Sequence, residues 1–302
     1  MKRTGLHLLI VVLLCAVSTG IRAGIDVFTC EPEWAALVSE VGGEHVNASS
    51  ATTALQDVHH IQARPSLIAR LRKADLLICT GAGLEEGWLP VLQRRANNPR
   101  VRKGAVGYLE AAQYVDLLDR PARLDRSEGD IHPEGNPHIQ LDPRNILSIA
   151  EVITERLAAI DPTNAEDYRA GLEVFANRWG EAIQQWEVAA RPLKGMPVVV
   201  HHNSWVYLQN WLGFEVVGIL EPKPGIPPSS THLKQLLNQL DQRRARMVIR
   251  SAYQNARASD WLSQRAGIPA VLLPSTVGGT EVASDLFGLF QDIVQRLLEA
   301  AQ

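Results

Sequence analysis

The 302-residue chain carries 30 Lys and Arg against 33 Asp and Glu, a formal net charge of −3, with 46% hydrophobic and 21% charged residues. That composition excludes a disordered chain and supplies apolar surface for two modest cores. No basic block is present, so the charge leaves no footprint for nucleic acid.

The N-terminus reads as an export address. Lys2 and Arg3 precede the apolar run from Leu8 to Val17, which is too short to span a bilayer and of the length of a secretory signal core. Ile21-Arg22-Ala23 offers a cleavage site, which predicts a signal peptide over 1–23 and a soluble mature chain. Cys15 follows Leu14, where a lipoprotein anchor wants a small residue. Beyond the signal only Cys30 and Cys79 remain, and in an oxidising compartment such a pair reads as a disulfide.

Strand and helix signals then alternate. Ile25–Thr29 is a strand, Pro32–Val41 a helix stopped by Gly42-Gly43, Val46–Thr53 a strand, Pro65–Lys73 a helix and Asp75–Cys79 a strand. The polar stretch Asp119–Pro137 reads as a surface loop. From Asn164 to Arg191, Tyr168, Leu172, Phe175, Trp179, Ile183 and Trp186 recur at helical spacing without a proline, predicting one long stiff helix that Gly171 and Gly180 weaken. A second series follows, with strands over 198–201, 214–219, 247–250 and 270–273, and helices near 231–242, 256–266 and 284–300. Parallel α/β units in two lobes joined by one helix are the expected fold. The boundaries fall at 24–163, 164–191 and 192–302, and no internal sequence repeat is visible.

Three of nine histidines stand in settings suited to ligands: His59 after the second strand, His138 at the end of the polar loop and His202 at the end of a strand. Ligands of open α/β sheets bind beyond the carboxyl ends of strands, and zinc takes three or four nitrogen, sulfur or oxygen donors. His132, inside the loop, suits either a solvated side chain or a metal-capturing one.

The flanking words resemble those of the ZnuA/TroA-like metal-binding family. Asp57-Val58-His59 with Pro65-Ser66 is similar to its D-P-H…P-S element. Ala74-Asp75-Leu76, Gly81 to Glu85 and Trp88-Leu89 are similar to A-D-L…G-x-x-L-E-x-W-L. Asn136-Pro137-His138 to Pro143 resembles N-P-H-x-W-L-D-P with Gln140 for Trp, and His202 to Tyr207 resembles H-x-x-x-x-Y. Glu221-Pro222 and Pro228-Ser229 match the later words.

The resemblance implies two α/β lobes with metal in the cleft and His59, His138 and His202 as ligands, chosen over the neighbouring His60 and His201. It implies a periplasmic, non-enzymatic, monomeric zinc carrier serving the permease of an ABC transporter, with a metallochaperone as a possible donor. An exported zinc hydrolase and a zinc-carrying adhesin are the alternatives. The family's usual fourth, acidic ligand has no counterpart in Leu273 to Gly279, and Arg250 replaces a common glutamate, which leaves water, Glu281 or Asp285 for that position. Gly81-Ala82-Gly83 followed by Gly87 imitates a dinucleotide fingerprint with its last glycine misplaced.

Overall fold

The computed structural model describes residues 24–121, 129–130 and 132–302. The expected signal peptide and part of the polar loop lie outside the described residues. Two four-stranded sheets, all parallel, organise the chain. The first contains β1 (Ile25–Thr29), β2 (Val46–Ser50), β3 (Leu76–Cys79) and β4 (Tyr108–Glu110), in the order β2-β1-β3-β4. The second contains β5 (Pro197–Val200), β6 (Glu215–Ile219), β7 (Met247–Arg250) and β8 (Ala270–Leu272), in the order β6-β5-β7-β8. The two orders are one topology used twice.

The helices are α1 (Pro32–Gly42), α2 (Pro65–Lys73), α3 (Leu89–Ala96), α4 (Pro143–Ile160), α5 (Ala165–Ala189), α6 (Val206–Leu212), α7 (Ser230–Leu240), α8 (Arg257–Ala266) and α9 (Leu286–Ala301). The helix expected over 164–191 is α5, 25 residues long, or roughly 37 Å at 1.5 Å per residue. The second strand ends at Ser50, three residues before the expected Thr53. No element was expected over 143–160, yet Ile146, Ile149, Ala150, Ile153 and Leu157 form the buried stripe of α4. Pro143 opens that helix, and the Asp142 side chain caps it by accepting from the Arg144 N–H.

Alternation along each strand decides the layering. Phe28 and Leu77 face a small core with α2 and α3, while Val27, Leu76 and Ile78 face the opposite way. In the second sheet Val199 and Val248 face α7 and α8, while Val198, Val200, Met247 and Ile249 face inward. The inward faces of both sheets share one core with α1, α4, α5 and α9. Its centre is aromatic: Trp179 stands 5.2 Å from Phe175, 4.9 Å from Phe287 and 5.5 Å from Phe290, and Trp186 stacks on Phe290. The buried indole of Trp179 donates to the Pro143 carbonyl at 2.8 Å, so its one polar atom is satisfied. The lobes are therefore welded through a common apolar layer as well as by the strut.

Cys30 and Cys79 form a disulfide, with Cα atoms 4.7 Å apart. β1 and β3 pair in parallel, Thr29 opposite Ile78, so the next residue of each strand lies side by side with the other.

Candidate metal centre

The three histidines singled out in the sequence meet between the sheets. Their ring centroids form a nearly equilateral triangle: 5.7 Å from His59 to His138, 5.8 Å from His59 to His202 and 5.8 Å from His138 to His202. One ligand atom from each lies within 4.8 Å of the others. All three side chains are buried, and His138 and His202 line a cavity of about 140 Å³.

Two of the rings face a carboxylate through Nδ1, and the third residue is held at its backbone N–H. Asp57 Oδ1 accepts from the His59 backbone N–H at 3.0 Å and lies 2.9 Å from His59 Nδ1. A carboxylate facing Nδ1 holds the proton on that nitrogen and leaves the Nε2 lone pair free. Burial pushes the Asp57 carboxyl up, but the hydrogen bond and charge of His59 outweigh it and the net shift is down. Trp88, from the W-L word, donates its indole N–H to the Val58 carbonyl at 2.9 Å and pins this turn.

His138 is oriented by Asn136, whose Oδ1 accepts from the His138 backbone N–H at 3.1 Å. Asn136 also donates to the Asn203 carbonyl at 2.7 Å, and Tyr207 donates to the Asn136 carbonyl at 2.7 Å. The tyrosine of the H-x-x-x-x-Y word thus ties the first lobe's ligand loop to the second lobe. The buried His138 Nε2 has no hydrogen-bond partner among the described residues. Burial, then the nearby imidazoles, hold its pKa well below the usual value. His202 follows β5 by two residues, and its Nδ1 lies 2.7 Å from Glu221 Oε2, the glutamate of the E-P word. Here too Nε2 is the free atom.

The neighbouring histidines go elsewhere. His60 is exposed, 3.8 Å from Asp130, and buried His201 stands 3.9 Å from Glu221. Glu281 is exposed, and Asp285 is spent capping α9 by accepting from the Gly288 N–H at 2.7 Å. Neither residue lines the cavities beside the triangle.

The sequence left the place of His132 open. It is drawn in: its Nε2 lies 3.3 Å from His59 Nε2, and its pKa is pushed down to about 4 by burial and by His59 and His202. Three neighbouring residues with positive φ, Gly81, Ala82 and Gly83, shape the turn against which it rests. The imitation dinucleotide fingerprint is this turn, closed by Glu85, whose carboxylate accepts from the Thr80 and Gly81 N–H groups.

Three buried imidazoles with ligand atoms this close, two of them turned by a carboxylate at Nδ1, are suited to a borderline divalent cation. Three glutamates are buried nearby, of which Glu31 and Glu33 line a second cavity with His138. Burial raises all three, Glu31 well above the ordinary range and Glu33 and Glu85 to about 7.

The chain is 26% identical over 211 residues to the manganese-binding lipoprotein MntA of Halalkalibacterium halodurans, covering 68% of this chain and 64% of that protein. It is 26% identical over 203 residues to the high-affinity zinc uptake system protein ZnuA of Yersinia pestis, covering 62% and 63%. Both matches span a little under two thirds of the relative's length. The manganese ABC transporter substrate-binding lipoprotein PsaA of Streptococcus pneumoniae is 22% identical, with 87% of this chain and 84% of that protein covered. A crystal structure of ZnuA superposes with a TM-score of 0.78 at 23% identity over 92% of this chain and all of that one. The laminin-binding adhesin Lmb of Streptococcus agalactiae superposes at 0.75 and 17% identity, again over 92% and 100%, a likeness of fold. The family described as the periplasmic zinc-uptake complex component A matches residues 27–300, and the chain belongs to it.

Proposed function

We propose that this chain binds zinc in the cleft through His59, His138 and His202 and hands it to the permease of an ABC-type uptake system. On this reading the protein is exported by residues 1–23 and acts in the periplasm as a monomer. The observation that carries it is the triangle of buried imidazoles, in which His59 and His202 each turn Nδ1 to a carboxylate and His138 Nε2 has no partner among the described residues. Relatives named for zinc and for manganese divide over the metal. An all-nitrogen donor set favours zinc, since manganese prefers oxygen. Catalysis finds no support: Asp57 and Glu221, the carboxylates at the rings, are each committed to an imidazole and not placed as a general base.

The test is a competition titration against a chromogenic chelator. His59→Ala, His138→Ala and His202→Ala are each expected to lower zinc affinity by about tenfold or more, the lower end of what even supporting residues of a metal site contribute. His60→Ala and His201→Ala are expected to stay within a few-fold of the wild type. Equal losses at His59 and His60, or tighter binding of manganese than of zinc, would overturn the assignment.

A further inference from the structure

We propose that the second cleft cavity, between Glu31 and Glu33 of the first lobe and Ser204 and Ser251 of the second, holds a hard divalent cation of the calcium type. The inference goes beyond the zinc reading and does not depend on it.

The cavity lies beyond the carboxyl ends of strands from both sheets, where open α/β sheets take their ligands. Glu31 and Glu33 come two and four residues after β1, Ser204 four after β5 and Ser251 directly after β7, and Gln140 lies in the turn before α4. All five residues are between 0% and 6% exposed. Four of their oxygens, Glu31 Oε1, Gln140 Oε1, Ser204 Oγ and Ser251 Oγ, are buried without a hydrogen-bond partner among the described residues. Buried polar atoms left unpaired destabilise a fold, so four of them around one space point to a ligand that supplies the missing contacts.

The atoms select its chemistry. Glu31 is held through Oε2 by the Thr80 N–H and hydroxyl, at 3.2 and 3.0 Å, which leaves Oε1 over. Gln140 donates its amide N–H to the Ser275 carbonyl at 3.1 Å and keeps its carbonyl oxygen free. Glu33 accepts from the Thr276 hydroxyl. No lysine or arginine lines the space, and Glu85, which shares the Thr80 N–H with Glu31, brings a further carboxyl close. Burial without an opposite charge accordingly raises Glu31 and Glu33. A divalent cation supplies that charge and displaces the carboxyl protons to solvent.

Calcium takes roughly 6–8 oxygens in flexible geometry, whereas magnesium demands a near-ideal octahedron. Two carboxylates, one amide carbonyl and two hydroxyls, completed by water, meet the looser requirement. The space of about 40 Å³ admits an ion with one or two waters, at roughly 10–15 Å³ for each water. Gln140 makes the site peculiar to this chain. It stands where the word around His138 resembles one with tryptophan, and an indole is larger and carries no acceptor oxygen.

Equilibrium dialysis of the zinc-loaded protein against radioactive calcium tests the proposal. Imidazole ligands do not suit calcium, so the probe distinguishes this cavity from the histidine triangle. One calcium ion per chain is expected at about 1 mM, the range of extracellular calcium modules. Glu31→Gln and Glu33→Gln are each expected to weaken its binding by about tenfold or more, and Gln140→Trp to abolish it. Calcium is also expected to raise the thermal midpoint of the wild type and not that of the Glu31→Gln, Glu33→Gln double variant. No calcium uptake by the wild type, or uptake unchanged in the double variant, would overturn the proposal. His59→Ala run alongside separates the two sites: it is expected to lose zinc and keep calcium. Zinc retained there defeats only the zinc reading, whereas calcium lost with the zinc would put the ion among the imidazoles and defeat this one.

Discussion

The side chains of this cleft show what burial does to ionisable groups when no opposite charge is supplied. Glu33 is 1% exposed, and it accepts a hydrogen bond from the hydroxyl of Thr276 in the other lobe. Its pKa of about 7 in the fold stands above the ordinary 4.5 expected of the unfolded chain. Below 4.5 both states are protonated and there is no penalty. Between 4.5 and 7 the folded state keeps the proton that the unfolded state has released, so stability falls as pH rises through that window. Glu33→Gln removes the titration while keeping an acceptor for Thr276. The thermal midpoint of the wild type is expected to drop between pH 5 and 7.5, and that of the variant to drop less. Parallel melting curves for the two proteins across this range would show that Glu33 does not titrate in the fold.

At the scale of the element, α5 illustrates that two glycines in one helix need not do the same thing. Both weaken the helix intrinsically, by roughly 0.5–1 kcal/mol relative to alanine. Gly180 has open space around it, with nothing within 4 Å of a Cβ. Gly171 lies where α5 crosses α1, and a Cβ there would stand 2.4 Å from the Val41 carbonyl oxygen. Gly180→Ala is therefore expected to stabilise the protein by about 0.5–1 kcal/mol. Gly171→Ala is expected to destabilise it by about 1–3 kcal/mol, the usual cost of forcing atoms into a packed contact. Chemical denaturation of the two variants checks both signs, and a stabilised Gly171→Ala would mean that the α1–α5 contact yields easily.

For the whole molecule, the shared core governs stability. Trp179 touches aromatic residues of α5 and α9 and bonds the start of α4, so neither sheet can lose its inner face without exposing the other's. A single calorimetric transition is expected for both lobes. The disulfide closes 49 residues of chain, a constraint worth roughly 4 kcal/mol in the chain-entropy account. Reduction is expected to move the whole transition to lower temperature while zinc still binds, because the sulfurs lie at the end of β1 and β3 and not among the imidazoles. Separate melting of one lobe, or loss of zinc on reduction with the fold intact, would contradict this picture.

Period and punctuation in the sequence determined most of the elements, the long strut and the cysteine pair, because those follow from local spacing and from the residues that start and stop helices. The words around His59, His138 and His202 marked the three residues through their family resemblance, and two of those words also hold a local anchor: Asp57 two residues before His59, Asn136 two before His138. Other decisions belong to the tertiary structure. Glu221 holds His202 from 19 positions away, and His132 reaches His59 across 73, separations over which sequence spacing carries no geometric information. The twofold use of one sheet topology is equally invisible in the sequence, because different side chains satisfy the same alternation of inward and outward faces. Which glycine of α5 is a packing contact, and which acids lie buried without a cation, depend on what the fold brings beside them.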